Sequence, residues 1–170
     1  KLYDMAHGAT KRGVASEGYV EATLKYAYSD ELIAMADDVE KMEYATERAK
    51  RMAILAKARV LYDRGSDEAY TIFAHLADKR TTAEGTEAYY RLVEQQYTLG
   101  KLDVAEKMIY ELGDCGSVYW QARCFILLGD IMRDGGNNFQ ARATYQSIVD
   151  GYTTQDDGII DEVKSRINAL

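Results

Sequence analysis

Residues 128–148 read LGDIMRDGGNNFQARATYQSI, and residues 92–112 read LVEQQYTLGKLDVAEKMIYEL. Laid over each other at a period of 36, the two stretches share a glycine, Gly100 with Gly136. They also share an alanine, Ala105 with Ala141, and two apolar positions, Ile109 with Tyr145 and Leu112 with Ile148. A third copy lies upstream in Gly65, Ala69, Phe73 and Leu76. The spacing Ala-x3-apolar-x2-apolar places three side chains on one helical face. Ahead of each glycine runs a second helical stripe: Ile54, Ala58 and Leu61, then Tyr89, Leu92, Val93 and Gln96, then Phe125, Leu128, Gly129 and Met132. The unit is therefore helix, tight turn, helix. One such pair cannot bury its own apolar face, so stacked pairs make the core.

The breaks carry turn and cap chemistry. Gly65, Gly100 and Gly136 stand where a helix ends in a left-handed residue. Ser66-Asp67-Glu68, Lys101-Leu102-Asp103 and Asn137-Asn138 follow with cap side chains or first-turn carboxylates. The pattern predicts helix pairs at 47–64 with 67–79, 83–99 with 102–113, and 117–134 with 138–150. An earlier pair is read at 15–28 with 30–42, with Val20, Leu24, Ala27 and Tyr28 on its first face and Leu32, Ile33, Ala36 and Val39 on its second. Residues 1–7 read as the tail of another helix. A last helix over 157–169, with Ile159, Ile160, Val163 and Ile167 at helical spacing and Asp156 or Asp157 as N-cap, reads as a solenoid cap. The expected fold is an all-α superhelix of about four helix pairs and a capping helix, a single domain over residues 1–170 read as a piece of a longer repeat protein. Ala69, Ala105 and Ala141 are small so that paired helices approach, and Ala105→Leu is expected to cost about 1–3 kcal/mol by overpacking.

Composition agrees with a helical body and narrows its partners. The chain of 170 residues holds no proline, 14 tyrosines, 3 phenylalanines and 1 tryptophan. Interior proline costs a helix about 3 kcal/mol, and its absence excludes collagen and polyproline segments. Net charge is −7, from 21 Lys and Arg against 28 Asp and Glu. That balance repels phosphate, so no nucleic-acid partner is expected. The basic run Arg48, Lys50, Arg51, Lys57 and Arg59 has Glu43 and Glu47 interleaved and reads as a solvated helix face. No apolar run is long enough to insert in a membrane. Cys115 and Cys124, nine positions apart, form neither a zinc pattern nor a disulfide framework.

The combination Leu128, Gly129, Gly136, Ala141, Tyr145 and Ile148 resembles the tetratricopeptide repeat, as do Leu92, Gly100, Ala105 and Leu112, and Gly65, Ala69, Phe73 and Leu76. Val93 and Ala58 replace the family's small first-helix glycine, and no proline closes a repeat. The segment Tyr119-Trp120-x-Ala122-Arg123 through Phe139-Gln140-Ala141 is further similar to the last repeats of long bacterial envelope proteins, of TolA-binding or outer-membrane assembly type. That similarity implies a scaffold in the periplasm or cell envelope.

The resemblance also implies that the first helix of each pair lines a concave groove. Carried over by position, the groove residues are Met52, Leu55, Arg59, Tyr62 and Asp63, then Glu87, Tyr90, Glu94, Tyr97 and Thr98, then Arg123, Ile126, Asp130, Arg133 and Asp134. Tyrosine with arginine suits a recognition surface, while Tyr62, Tyr90 and Tyr97 also fit a role in helix packing. The partner expected is a protein or peptide. An enzyme is not expected: His7 and His75 lie 68 positions apart, the glycines form no phosphate loop, and no cofactor or metal is called for. Glu94 and Asp130 could face each other across the groove, where an acidic pair more often meets a basic ligand than does acid–base chemistry. Two other readings stand beside the scaffold: a self-association module of a larger envelope protein, and a pentatricopeptide-like nucleic-acid binder, which the acidic balance opposes.

Overall fold

The computed structural model describes residues 9–154 and 156–170, with side chains from residue 11 onward. The helix expected over residues 1–7 lies outside them. Among the described residues the protein is all-α, with nine helices and no strand: α1 (Ala9–Tyr26), α2 (Ser29–Lys41), α3 (Glu47–Asp63), α4 (Glu68–Ala77), α5 (Ala83–Thr98), α6 (Leu102–Tyr110), α7 (Val118–Asp134), α8 (Asn138–Gly151) and α9 (Ile159–Asn168). The chain divides into two compact units, Lys1–Leu76 and Ala77–Leu170.

Hydroxyl caps start α3, α5 and α7. Thr46 accepts a hydrogen bond from the Ala49 amide, Thr82 from Gly85 and Ser117 from Trp120, each satisfying a first-turn N–H that has no intrahelical partner. The three helices also stop alike. Gly65, Gly100 and Gly136 take φ of +71°, +71° and +78°, a conformation open to glycine without a Cβ penalty. At each, the glycine N–H donates to the carbonyl three residues back, and the next N–H donates to the carbonyl five back (Gly65 to Tyr62 and Ser66 to Leu61, for example). This double closure uses two carbonyls that the helix end would leave open. The turn therefore repeats at intervals of 35 and 36 residues, as the glycine spacing predicts.

In the first unit, α1, α2 and α3 enclose Val20, Met35, Ala36, Val39, Ala49, Ala53 and Ala56. Lys57 of α3 pairs with Asp37 of α2 at 2.8 Å, and Arg64 pairs with Asp30 at 2.6 Å. The crossed order of these pairs means that α2 and α3 run in opposite directions. Tyr28 departs from its expected place on the first face. It lies 84% exposed, because α1 ends at Tyr26 and the chain has left the helix. Tyr28 is instead the residue before α2, where its N–H donates to the Glu31 carboxylate at 2.8 Å.

In the second unit, contacts set the helix directions. Tyr90 meets Trp120 and Arg123, while Tyr97 meets Asp134. Arg123 meets Glu162, and Asp130 meets Arg166. Both sets ascend together, so α5, α7 and α9 run side by side in one direction. The second helices run against them: Arg80 and Tyr89 reach Glu111 and Met108 in reverse order. Ala105 and Ala141 are fully buried at their repeat positions, with Ile109, Leu112, Tyr145 and Ile148 buried as well, although α6 stops at Tyr110, short of Leu112. In the first unit, Ala69, Phe73 and Leu76 of the third copy are likewise buried. Asp157 does supply a cap bond to the Ile159 amide, from one position before the left-handed N-cap Gly158.

Candidate functional site

A cleft of about 220 Å³ opens on the face shared by α5, α7 and α9 of the second unit. Its lining includes Tyr90, Glu94, Tyr97, Arg123, Asp130 and Arg166, with Ile126 and Leu127 at its floor. α5 brings Tyr90, Glu94 and Tyr97 to it at spacings of four and three, one helical face. α7 brings Arg123, Ile126, Leu127 and Asp130 in the same way.

The polar groups form one continuous chain. Arg91 donates to Glu94 at 2.9 Å, and the Tyr90 hydroxyl donates to the other oxygen of Glu94 at 2.8 Å. Arg123 donates toward the Tyr90 hydroxyl at 3.4 Å and pairs with Glu162. Glu162 also pairs with Arg166, four residues on, at 2.8 Å. Arg166 reaches Asp130 at 3.0 Å, where Arg133 at 2.9 Å and the Tyr145 hydroxyl at 2.7 Å also donate. Arg133 continues to Asp134, which accepts from Tyr97 at 2.6 Å. Cations and carboxylates alternate along the whole run, so the charges cancel locally and hold three helices in register.

An aromatic platform adjoins the chain. Trp120 lies 5.1 Å from the Tyr90 ring and meets Tyr119 edge-on at 5.0 Å. The guanidinium of Arg91 lies over Trp120 at 5.4 Å, and that of Arg123 over Tyr90 at 5.7 Å, within cation–π range. Burial, and then the charge of Glu94, push the Tyr90 phenol up to about 12. Burial, and then the bond to Asp134, do the same for Tyr97. Burial acts to raise the Asp134 carboxyl, but the Tyr97 and Arg133 hydrogen bonds outweigh it and hold the group below its ordinary value.

Seven of the fifteen expected groove residues meet at this cleft: Tyr90, Glu94, Tyr97, Thr98, Arg123, Ile126 and Asp130. Two of the fifteen are less available than expected. Ile126 packs with Ala122, Tyr145, Ile159 and Val163, because α9 covers it. Glu87 is 2% exposed, so it is interior and not a groove carboxylate. Arg133 sits at the edge, holding Asp130 and Asp134. Arg59 and Tyr62 belong to the first unit. There Arg59 is exposed on α3, while Tyr62 meets Tyr70 and Phe73 edge-on at 6.0 and 6.1 Å and joins α3 to α4. Met52 packs on the first unit's core and Leu55 is buried. The basic run of α3 is largely neutralised: Arg48 pairs with Glu17 and Glu21, Lys50 with Glu47, and Lys57 with Asp37.

Glu94 and Asp130 do line one cleft, but each is already held by arginine and tyrosine. Glu162 and Arg166 of α9 were not among the expected site residues. Their i, i+4 spacing was visible, yet a helix read as a cap gave no reason to turn them inward. His75 is exposed. Among the described residues no group of three or more His, Cys, Asp or Glu side chains is placed to hold a metal ion, and no helix is long and apolar enough to cross a membrane. No family model, curated protein or solved structure matches the chain.

Proposed function

We propose that the chain is a run of tetratricopeptide-like helix pairs forming a superhelix, and that it acts as a non-catalytic scaffold binding a protein or peptide. The observation that carries this reading is the open cleft on α5, α7 and α9. It is bordered by a Tyr–Trp platform and by charged groups whose positions are set by one another before any ligand arrives. Such preorganisation lowers the ordering cost of binding, and aromatic residues with arginine are the residue types that anchor interfaces. The repeated glycine turns and buried alanines support the tetratricopeptide likeness. The segment around Trp120 makes the bacterial cell envelope the setting in which a partner is sought.

Selection of a displayed random peptide library on the full chain tests the reading. Enriched peptides are expected to bind the wild type and to lose about tenfold or more in affinity, about 1.4 kcal/mol, on Tyr97→Ala or Arg123→Gln. Failure of any sequence to enrich, or equal binding by both folded variants, overturns it.

A further inference from the structure

One face of α7, beside the cleft, already holds a helix. α9 lies on α7 through two kinds of contact. Ile159 and Val163, 1% and 0% exposed, enter the cluster of Ala122, Ile126, Ala141, Tyr145 and Ile148. Beside them Glu162 takes Arg123, and Arg166 takes Asp130, while Glu162 and Arg166 also pair with each other. Arg123 and Asp130 are seven residues apart on α7, two helical turns, so they face α9 as a cation and an anion on one stripe. The surface thus distinguishes the ends of a helix by charge: acid toward Arg123, base toward Asp130.

α9 is also poorly equipped to stand alone. It has ten residues, and isolated helices shorter than about 12–15 residues are marginal in water. Its order therefore comes from docking. The described residues that join it to α8, 152–154 and 156–158, contain two left-handed residues, Asp156 and Gly158, and no helix.

We infer that α9 is an exchangeable occupant of this face, and that the second unit's partner is an amphipathic helix of the same design. That helix carries an acidic residue followed four positions later by arginine or lysine, with branched aliphatics three positions before and one position after the acid. The inference rests on reading this face as a recognition surface and adds the chemistry of what it recognises. The incoming helix replaces Glu162 on Arg123 and Arg166 on Asp130, and α9 leaves by local unfolding. Charge order specifies direction, and the aliphatic pair supplies the burial.

The probe is a fluorescein-labelled synthetic peptide of residues 157–170, DGIIDEVKSRINAL, titrated into the full chain by fluorescence anisotropy. A chain carrying Glu162→Gln and Arg166→Gln, with its own α9 loosened, is expected to bind the probe about tenfold more tightly than the wild type. That gain is expected to vanish when Arg123→Gln is added, or when the peptide itself carries the Glu162→Gln change. Equal binding to wild type and double variant overturns the inference. If the double variant does not fold, hydrogen exchange in the wild type decides. Amides of 159–168 are expected to exchange about a hundredfold faster than those of 122–131, through opening of α9 alone, and equal protection overturns exchangeability. Library peptides that depend on Tyr97 yet do not compete with the probe leave the recognition reading standing and remove this inference. Failure of any peptide to enrich removes both.

Discussion

Gly129 and Tyr145 occupy one space: a β-carbon on Gly129 would lie 2.2 Å from Cε1 of Tyr145. The ring cannot step aside. It is fully buried, and its hydroxyl donates to Asp130 at 2.7 Å, one residue along from the glycine. The close packing of α7 on α8 and the anchoring of Asp130 are thus one arrangement.

Gly129→Ala is expected to destabilise the protein by about 1–3 kcal/mol through overpacking, lowering Tm by several degrees. Gly135→Ala is the control. Its nearest neighbour would lie at 3.4 Å and its φ is −75°, so the change is expected to be neutral or mildly stabilising. Thermal unfolding followed by circular dichroism separates the two, and equal melting temperatures would contradict the packing described.

Asp130 gathers Tyr145, Arg133 and Arg166 onto one carboxylate. Asp130→Asn is expected to cost about 2 kcal/mol, less than for a wholly buried pair because both arginines reach solvent. Tyr145→Phe removes one bond to a charged acceptor and is expected to cost about 1.5–3 kcal/mol. The two losses are expected to overlap in a double-mutant cycle, with a coupling of about 0.5–3 kcal/mol. Additive effects in urea denaturation would mean that the bond contributes nothing.

Alkaline pH tests the tyrosines. The phenols of Tyr90 and Tyr97 are raised to about 12 by burial and by the carboxylates they serve, and that of Tyr145 is raised further by burial and Asp130. A phenol with a raised folded pKa holds its proton more tightly when folded. The stability this contributes is complete below about pH 10 and is lost as pH rises through about 12. Denaturation midpoints are therefore expected to fall across that window. The fall is expected to be smaller in a Tyr90→Phe, Tyr97→Phe variant, and an identical fall would show that these phenols do not govern it.

The thiols should separate by depth. Cys124 is buried and its pKa is raised to about 12, by burial and then by Cys115. Cys115 is partly exposed, and its pKa is raised chiefly by burial and next by Asp114. A disulfide reagent near neutral pH is expected to label one thiol slowly in the folded chain and the second only after unfolding. Fast labelling of both without denaturant would contradict this burial.

Much of the local structure was legible from composition and spacing. The three glycines named their left-handed turns, because an αL position at a helix end selects glycine whatever surrounds it. The alanine trio named a buried face, since helical periodicity is local geometry. Tyr28 fits the apolar stripe of α1 yet lies past the helix end at Tyr26, because a stripe read from spacing does not mark where the helix stops. Glu87 and Ile126 fit the groove pattern yet lie inside. Depth depends on which neighbouring helix covers a position, and a stripe on one helix does not say so.

The sequence by itself therefore determined an all-α chain of helix–turn–helix pairs with a period near 36, its turns and much of its core. What only the tertiary structure decided is who meets whom. Arg123 finds Glu162, 39 residues on, and Asp130 collects Arg166 and Tyr145 from two other helices. Charged side chains of many kinds can sit on a solvated helix face at little cost, so their identity leaves their partners open. Close packing, in which one glycine admits one tyrosine ring, sets the helix register that turns those charges toward each other.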